Sequence, residues 1–128
     1  MTRWILAALS LCCTCLSAHA EGLYSRHYIS CMDSSGDATT EMHDCLVDEH
    51  ARQDARLNDA YRNLTAHVTG DRRKALLAAQ RLWIQYRDAN CKVYAYPDGG
   101  VAAEIHEASC RLEMTVQRAN ELENLFSA

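Results

Sequence analysis

The sequence has few residues that interrupt a helix and little that would build a sheet. Its one proline is Pro97, and four of its five glycines (Gly36, Gly70, Gly99 and Gly100) fall at the edges of long mixed stretches and not inside them. No alternating apolar–polar run lies between turn signals, so strands are not expected. Beyond residue 20 no segment is long and apolar enough to span a bilayer. There is no Gly-x-Ser-x-Gly nucleophile turn and no phosphate-binding glycine loop. Internal repeats and low-complexity tracts are also missing. Lysine and arginine are absent from residues 31–49, which carry Asp33, Asp37, Glu41, Asp44, Asp48 and Glu49. Such an acidic lobe disfavours nucleic acid and anionic membrane, and it favours a cationic partner.

The first twenty residues have the form of a secretory signal. Arg3 precedes an apolar run from Trp4 to Leu16, and Ala18-His19-Ala20 supplies a small-x-small cleavage pattern. The run is too short to span a membrane. Cleavage is expected after Ala20, giving residues 1–20 as signal, 21–39 as an irregular lead-in and 40–128 as the helical domain. Cys12, Cys13 and Cys15 follow Leu11, Cys12 and Thr14, a poor context for a lipidated cysteine, so a lipid anchor is not expected. Without Arg3, the chain beyond Ala20 has 12 basic and 17 acidic residues, a formal −5.

Four cysteines remain beyond the signal: Cys31, Cys45, Cys91 and Cys110. An even count in a small exported domain indicates two disulfides, in one of three pairings. Pairing neighbours closes the shortest loops, with each bridge contributing roughly 3 kcal/mol.

Three amphipathic helices are expected, forming an antiparallel bundle. The first starts near Thr40, capped by Thr39 or Thr40. It carries the stripe Met42, Cys45, Leu46, Leu57, Tyr61, Leu64 and Val68, which is weak between Glu49 and Arg56, and Gly70 ends it. Asp71 caps the second helix, whose apolar face is Leu76, Leu77, Trp83, Ile84, Cys91 and Tyr94. Pro97-Asp98-Gly99-Gly100 makes the turn into the third, Val101 to Phe126, with Ile105, Ala108, Leu112, Thr115, Ala119, Leu122 and Leu125 on one face. Asp33-Ser34-Ser35-Gly36-Asp37 is a turn; it lacks the ligand pattern of a calcium loop.

Few residues suggest chemistry, and none is assigned a catalytic, cofactor-binding or metal-binding role. His106-Glu107-Ala108-Ser109-Cys110 resembles a zinc-protease helix, but Cys110 replaces the second histidine, and a disulfide would occupy it. His43 and His50 share a helix face with Asp54 without a fourth ligand. The pairs Asp44/Asp48 and Asp48/Glu49 are expected on a solvated face, since a slim bundle offers no cleft for paired carboxylates to work across. Asn63-Leu64-Thr65 fits a glycosylation pattern but lies mid-helix. In Ala79-Gln80-Arg81-Leu82-Trp83-Ile84-Gln85-Tyr86-Arg87-Asp88-Ala89-Asn90-Cys91, polar residues recur beside the buried stripe. An unpaired buried polar group costs about 1–3 kcal/mol, so Gln80 and Arg87 need partners, with Asp54 and Asn58 as candidates.

These residues carry a resemblance. Leu57-Asn58-x-x-Tyr61-x-x-Leu64, the run Gln80 to Cys91, Gly99-Gly100, Cys110, Thr115 and Arg118 to Leu122, preceded by Cys31, Cys45 and Asp54, resemble the LprI-type lysozyme-inhibitor-like domain over about residues 31–125. The resemblance implies a helical domain of the bacterial envelope or periplasm that binds and inhibits lysozyme, with Asp54, Asn58, Tyr61, Gln80, Trp83, Arg87, Thr115 and Arg118 as structural motif residues. The expected function is a non-enzymatic periplasmic or secreted binding protein. Asp33, Asp37, Glu41, Asp44 and Asp48 are its candidate contacts to a cationic protein such as lysozyme. The alternative is a structural or stress-related envelope protein with another protein partner. A hydrolase would require a cleft beside a perturbed carboxylate.

Overall fold

The computed structural model describes residues 23–95 and 99–127; the segment expected to be a signal, residues 1–20, and Pro97-Asp98 of the expected turn lie outside them. Among the described residues there are four helices and no strand: α1 (Arg26–Ser35), α2 (Thr39–His67), α3 (Gly70–Tyr94) and α4 (Gly100–Ser127). The three long helices follow the expected amphipathic stretches. The fourth corrects the expectation of three, because α1 occupies the segment read as an irregular lead-in.

Residues that meet across the helices set their directions. Cys31 joins Cys45 and Ser25 meets Glu49, so α1 runs antiparallel to α2. Gln80 meets Arg118, Arg87 meets Thr115 and Cys91 joins Cys110, so α3 runs antiparallel to α4. His50 meets Thr115 and Arg56 meets Glu123, so α2 and α4 lie parallel. Helix α4 is the hub, packing on both α2 and α3.

The apolar core is in two parts. Leu57, Ala60, Leu64 and Val68 of α2 close on Ala119 and Leu122 of α4, with Tyr61, Leu76 and Trp83 packed against them. At the other end, Leu46 meets Leu112 and Val116 beneath Tyr24, Tyr28, Ile105 and Ala108. The weak part of the α2 stripe lies between these clusters, and buried Glu49 and Gln53 fill it.

The helix ends depart from the expected caps. Ala38 precedes α2, so neither Thr39 nor Thr40 caps it. Helix α2 stops at His67, not at Gly70. Thr69 takes the capping position of α3 without a side-chain hydrogen bond. Gly70, at φ 57°, opens α3, and Asp71 sits in its first turn beside exposed Lys74. Gly36, at φ 53°, closes α1 in a conformation that costs glycine nothing. Of the apolar face expected on α3, Cys91 is fully buried and Trp83 half-buried, whereas Ile84 and Tyr94 are exposed, as is Leu125 of α4. The buried residues of α3 are Gln80, Arg87 and Cys91. This helix is therefore held largely by polar bonds and a disulfide.

Candidate functional site

Both disulfides join sequence neighbours. Cys31–Cys45 has a Cα separation of 5.8 Å and Cys91–Cys110 one of 5.4 Å, both within the range a disulfide spans. The first clamps α1 onto α2, and the second clamps the end of α3 onto α4. Because Cys110 is bonded, the His106-Glu107-Cys110 set cannot ligate zinc.

The motif residues build an internal polar layer. Arg87 donates through Nη1 to Thr115 Oγ1 at 3.2 Å and through Nε to Asp88 at 3.1 Å, and lies 3.8 Å from Asp54. Asn58 donates to Asp54 at 3.1 Å. Arg118 donates through Nε to Gln80 Oε1 at 3.0 Å and pairs with Glu121 at 2.7 Å. The ring of Trp83 lies beneath both guanidiniums, 5.0 Å from Arg87 and 5.9 Å from Arg118, in cation–π range. Asp54 thus meets Arg87, one of its two expected partners, while Gln80 is taken by Arg118. Arg111 extends the layer to Asp88 at 2.6 Å and Glu107 at 2.9 Å.

Thr115 has one hydroxyl proton, which it gives to the Arg111 carbonyl at 2.7 Å. His50 Nε2, 3.3 Å away, is therefore the donor to Thr115. Burial pushes the His50 imidazole below its ordinary value; Arg87 and Arg111 push the same way, and Asp54 and Asp88 only partly offset them. His50 is a neutral, structural histidine and sits apart from His43, whose Nδ1 lies 3.9 Å from Asp44. Among the described residues no group of three or more His, Cys, Asp or Glu is placed to hold a metal ion.

A second polar knot was not evident from the sequence. Glu49 is fully buried and accepts four hydrogen bonds: from the Ser25 backbone at 2.8 Å, the Ser25 hydroxyl, Gln53 at 2.8 Å and Arg52 at 3.1 Å. Burial raises the Glu49 carboxyl, but these bonds outweigh it and hold it below the ordinary value. Ser25 Oγ in turn accepts from the Tyr28 N–H at 3.0 Å and caps α1, while Gln53 also donates to the Leu23 carbonyl at 3.0 Å. Glu49 is thus an anchor for the start of α1 and not the surface charge expected from its acidic neighbours. The break in the α2 stripe was the available signal. Among the described residues no buried side-chain nitrogen or oxygen lacks a hydrogen-bond partner.

The five acidic candidates are all exposed. Asp33 lies on α1 and Asp37 in the α1–α2 turn, while Glu41, Asp44 and Asp48 follow one face of α2 at helical spacing. The Cys31–Cys45 bridge brings these two elements together at one end of the molecule. The concavities are open grooves. One of about 440 Å³ between α3 and α4 is lined by Tyr86, Tyr94, His106 and Glu113. Another of about 280 Å³ runs along Arg72, Ala75, Ala79 and Glu121. Among the described residues the one carboxylate with a clearly shifted pKa, Glu49, is wholly buried in its own hydrogen bonds.

Comparison with known proteins fits this architecture. The chain is 28% identical to an uncharacterised protein of Rhizobium meliloti (strain 1021), in an alignment covering 94% of this chain and 92% of that one. No solved structure matches it. The model of the family described as "Lysozyme inhibitor LprI" matches residues 31–122, which include both disulfides, Glu49 and the whole Arg87–Trp83–Arg118 layer. The chain therefore belongs to the LprI lysozyme inhibitor family.

Proposed function

We propose that the protein is a non-enzymatic binding protein of the bacterial envelope, periplasmic or secreted, that inhibits lysozyme through the acidic end formed by α1 and the start of α2. The observation that carries this proposal is the group of exposed carboxylates at Asp33, Asp37, Glu41, Asp44 and Asp48, set on a domain of an inhibitor family. Animal lysozymes of the common type are strongly cationic, so a facing acidic patch would speed their encounter and fix their orientation. The two disulfides suit an oxidising compartment. No helix among the described residues is long and apolar enough to cross a membrane.

The test is lysis of cell walls by lysozyme with the purified protein in excess. Inhibition is expected at low ionic strength and should weaken as salt rises towards ~0.3 M, where exposed charges are screened within a few ångströms. Undiminished lysis at low salt would remove lysozyme as the target. A second reading, an envelope protein with another protein partner, draws support from the placement of the family's motif. Gln80, Arg87, Thr115 and Arg118 are buried, so they support the shared fold more directly than a shared inhibitory surface. Co-purification of a stable partner, with lysozyme inactive as a ligand, would favour it.

A further inference from the structure

We infer that the groove between α3 and α4 is a saccharide-binding site, taking a short run of neutral, linked sugar rings. None of its lining residues is among the five acidic candidates, so the inference is independent of the lysozyme proposal. Each wall is a strip of one helix at a four-residue spacing. Helix α3 contributes Tyr86, Asn90 and Tyr94, and α4 contributes Ser109, Glu113 and Gln117. Both strips are about 12 Å long at 1.5 Å per residue. The two helices run antiparallel and are joined by Cys91–Cys110, so Tyr86 lies at the Gln117 end and Tyr94 at the His106 end. A volume of about 440 Å³ is that of a small-molecule site.

The lining selects a ligand by what it offers and what it withholds. Among the described residues of the groove there is no lysine or arginine, so nothing there neutralises a phosphate or a ligand carboxylate. The one carboxylate among them, Glu113, already accepts from Gln117 Nε2 at 3.1 Å. A lipid tail would cover hydroxyls and amides without bonding them, at about 1–3 kcal/mol each. An extended peptide would find no strand edge to pair with, because both walls are helices whose backbone groups are bonded internally. Recognition falls to side chains: a hydroxyl, amides and a carboxylate that together donate and accept, set between two aromatic rings. Tyr86 is 60% exposed and Tyr94 56%, so both rings keep apolar faces open to contact. A sugar ring has the complementary chemistry. Its hydroxyls each donate and accept, and its C–H face lies flat on an aromatic ring.

Asn90 is the group in the groove without a good acceptor. It is half-buried, and its amide nitrogen reaches only sulfur: Met114 Sδ at 3.5 Å and Cys110 Sγ at 3.7 Å. Sulfur is a weak acceptor. A ligand hydroxyl in the groove is a better one, and it would meet the amide with no change of fold. The base of the groove is fixed as well. Met114 Sδ also lies 3.7 Å from Cys91 Sγ, and the Cys91–Cys110 bridge ties one wall to the other. Walls that cannot splay are preorganised, so little ordering opposes binding.

The test is an NMR titration of the exported chain with both disulfides formed, read at the side-chain amides of Asn90 and Gln117. The probes are a β-1,4-linked trimer of N-acetylglucosamine, maltotriose and trilysine. One or both saccharides should shift these resonances with a Kd of about 10 µM to 1 mM, as suits a small ligand in an open groove. A response to the aminosugar alone supports the site and identifies a wall-type glycan as the source; a response to both supports it as a general glycan site. Tyr86→Ala with Tyr94→Ala should weaken binding by ~10-fold or more. Tyr86→Phe with Tyr94→Phe should keep most of the affinity, because the rings remain. Gln117→Ala, an exposed change on the opposite wall, should give a separate loss. Val93→Ala, exposed and outside the groove, should leave binding unchanged. Thermal melting of all these variants should match the parent. No response to either saccharide at about 10 mM would overturn the inference. So would a response to trilysine alone, or saccharide binding that survives both the alanine pair and Gln117→Ala.

Discussion

At the scale of single residues, the two groups with most at stake are neighbours in sequence with separate tasks. Glu49 holds the start of α1, and His50 joins the Arg87–Thr115 layer. Both have ionisation equilibria pushed down on folding, so both oppose proton uptake by the native state. For each, the unfolded chain binds protons more readily than the folded one, so stability falls as pH falls. The loss due to His50 starts as pH drops through its ordinary value of 6.5, and the loss due to Glu49 starts near its ordinary value of 4.5. Denaturant unfolding from pH 7.5 to 3 should therefore show two successive declines. His50→Gln should flatten the upper one and leave the lower. Glu49→Gln should flatten the lower one and cost about 3 kcal/mol at neutral pH, because it replaces a buried charge-assisted acceptor and leaves donors poorly matched. A flat profile in the parent, or a Glu49→Gln variant as stable as the parent, would show that neither group is held as described. From sequence, Glu49 was hidden by its surroundings: a carboxylate in an acidic run reads as solvated, and its partner Ser25 lies twenty-four residues away.

At the scale of elements, what could be read from the sequence followed how each helix is stabilised. Helices α2 and α4 are largely amphipathic in the ordinary sense, and their stripes gave their extent and most of their buried faces. Helix α1 was missed because its order is not local. Its ten residues include three serines and an aspartate, none of the ten is fully buried, and it is held by a cap that Glu49 positions and by the Cys31–Cys45 bridge. Helix α3 was found, but Ile84 and Tyr94 were assigned to the core although they are exposed. Its buried residues are two polar ones and a cysteine. The two disulfides close loops of similar length, so loop entropy alone gives each roughly 3 kcal/mol, yet their removal should differ. Replacing Cys91 and Cys110 together by alanine should free the last turns of α3, where Asn90 makes only long contacts to sulfur on α4. Replacing Cys31 and Cys45 should free α1 and leave α3 protected. Amide hydrogen exchange resolves the two outcomes residue by residue. Equal loss of protection on α1 and α3 in both variants would mean that the bundle opens only as one unit.

At the scale of the whole molecule, the chain keeps its two faces apart. The buried polar groups are paired and concerned with register between helices. The exposed features are an acidic end and the groove between α3 and α4. The division makes the lysozyme proposal testable without damage to the fold, because Asp33, Glu41 and Asp48 are exposed and their replacement removes no buried contact. Changing all three to lysine reverses the sign of the patch while the Glu49 knot and both disulfides stay in place. Rim charges act mainly on encounter, so the association rate with lysozyme should fall by ~10–100-fold at low ionic strength, with a smaller change in dissociation. The deficit should shrink as salt rises, because the parent loses its steering while the variant loses its repulsion. Stopped-flow association at two salt concentrations measures both effects, and an unchanged melting temperature shows that the bundle is intact. If the triple variant binds lysozyme as fast as the parent at low salt, the acidic end is not the docking face. The contact would then have to lie on a surface whose charge was not altered.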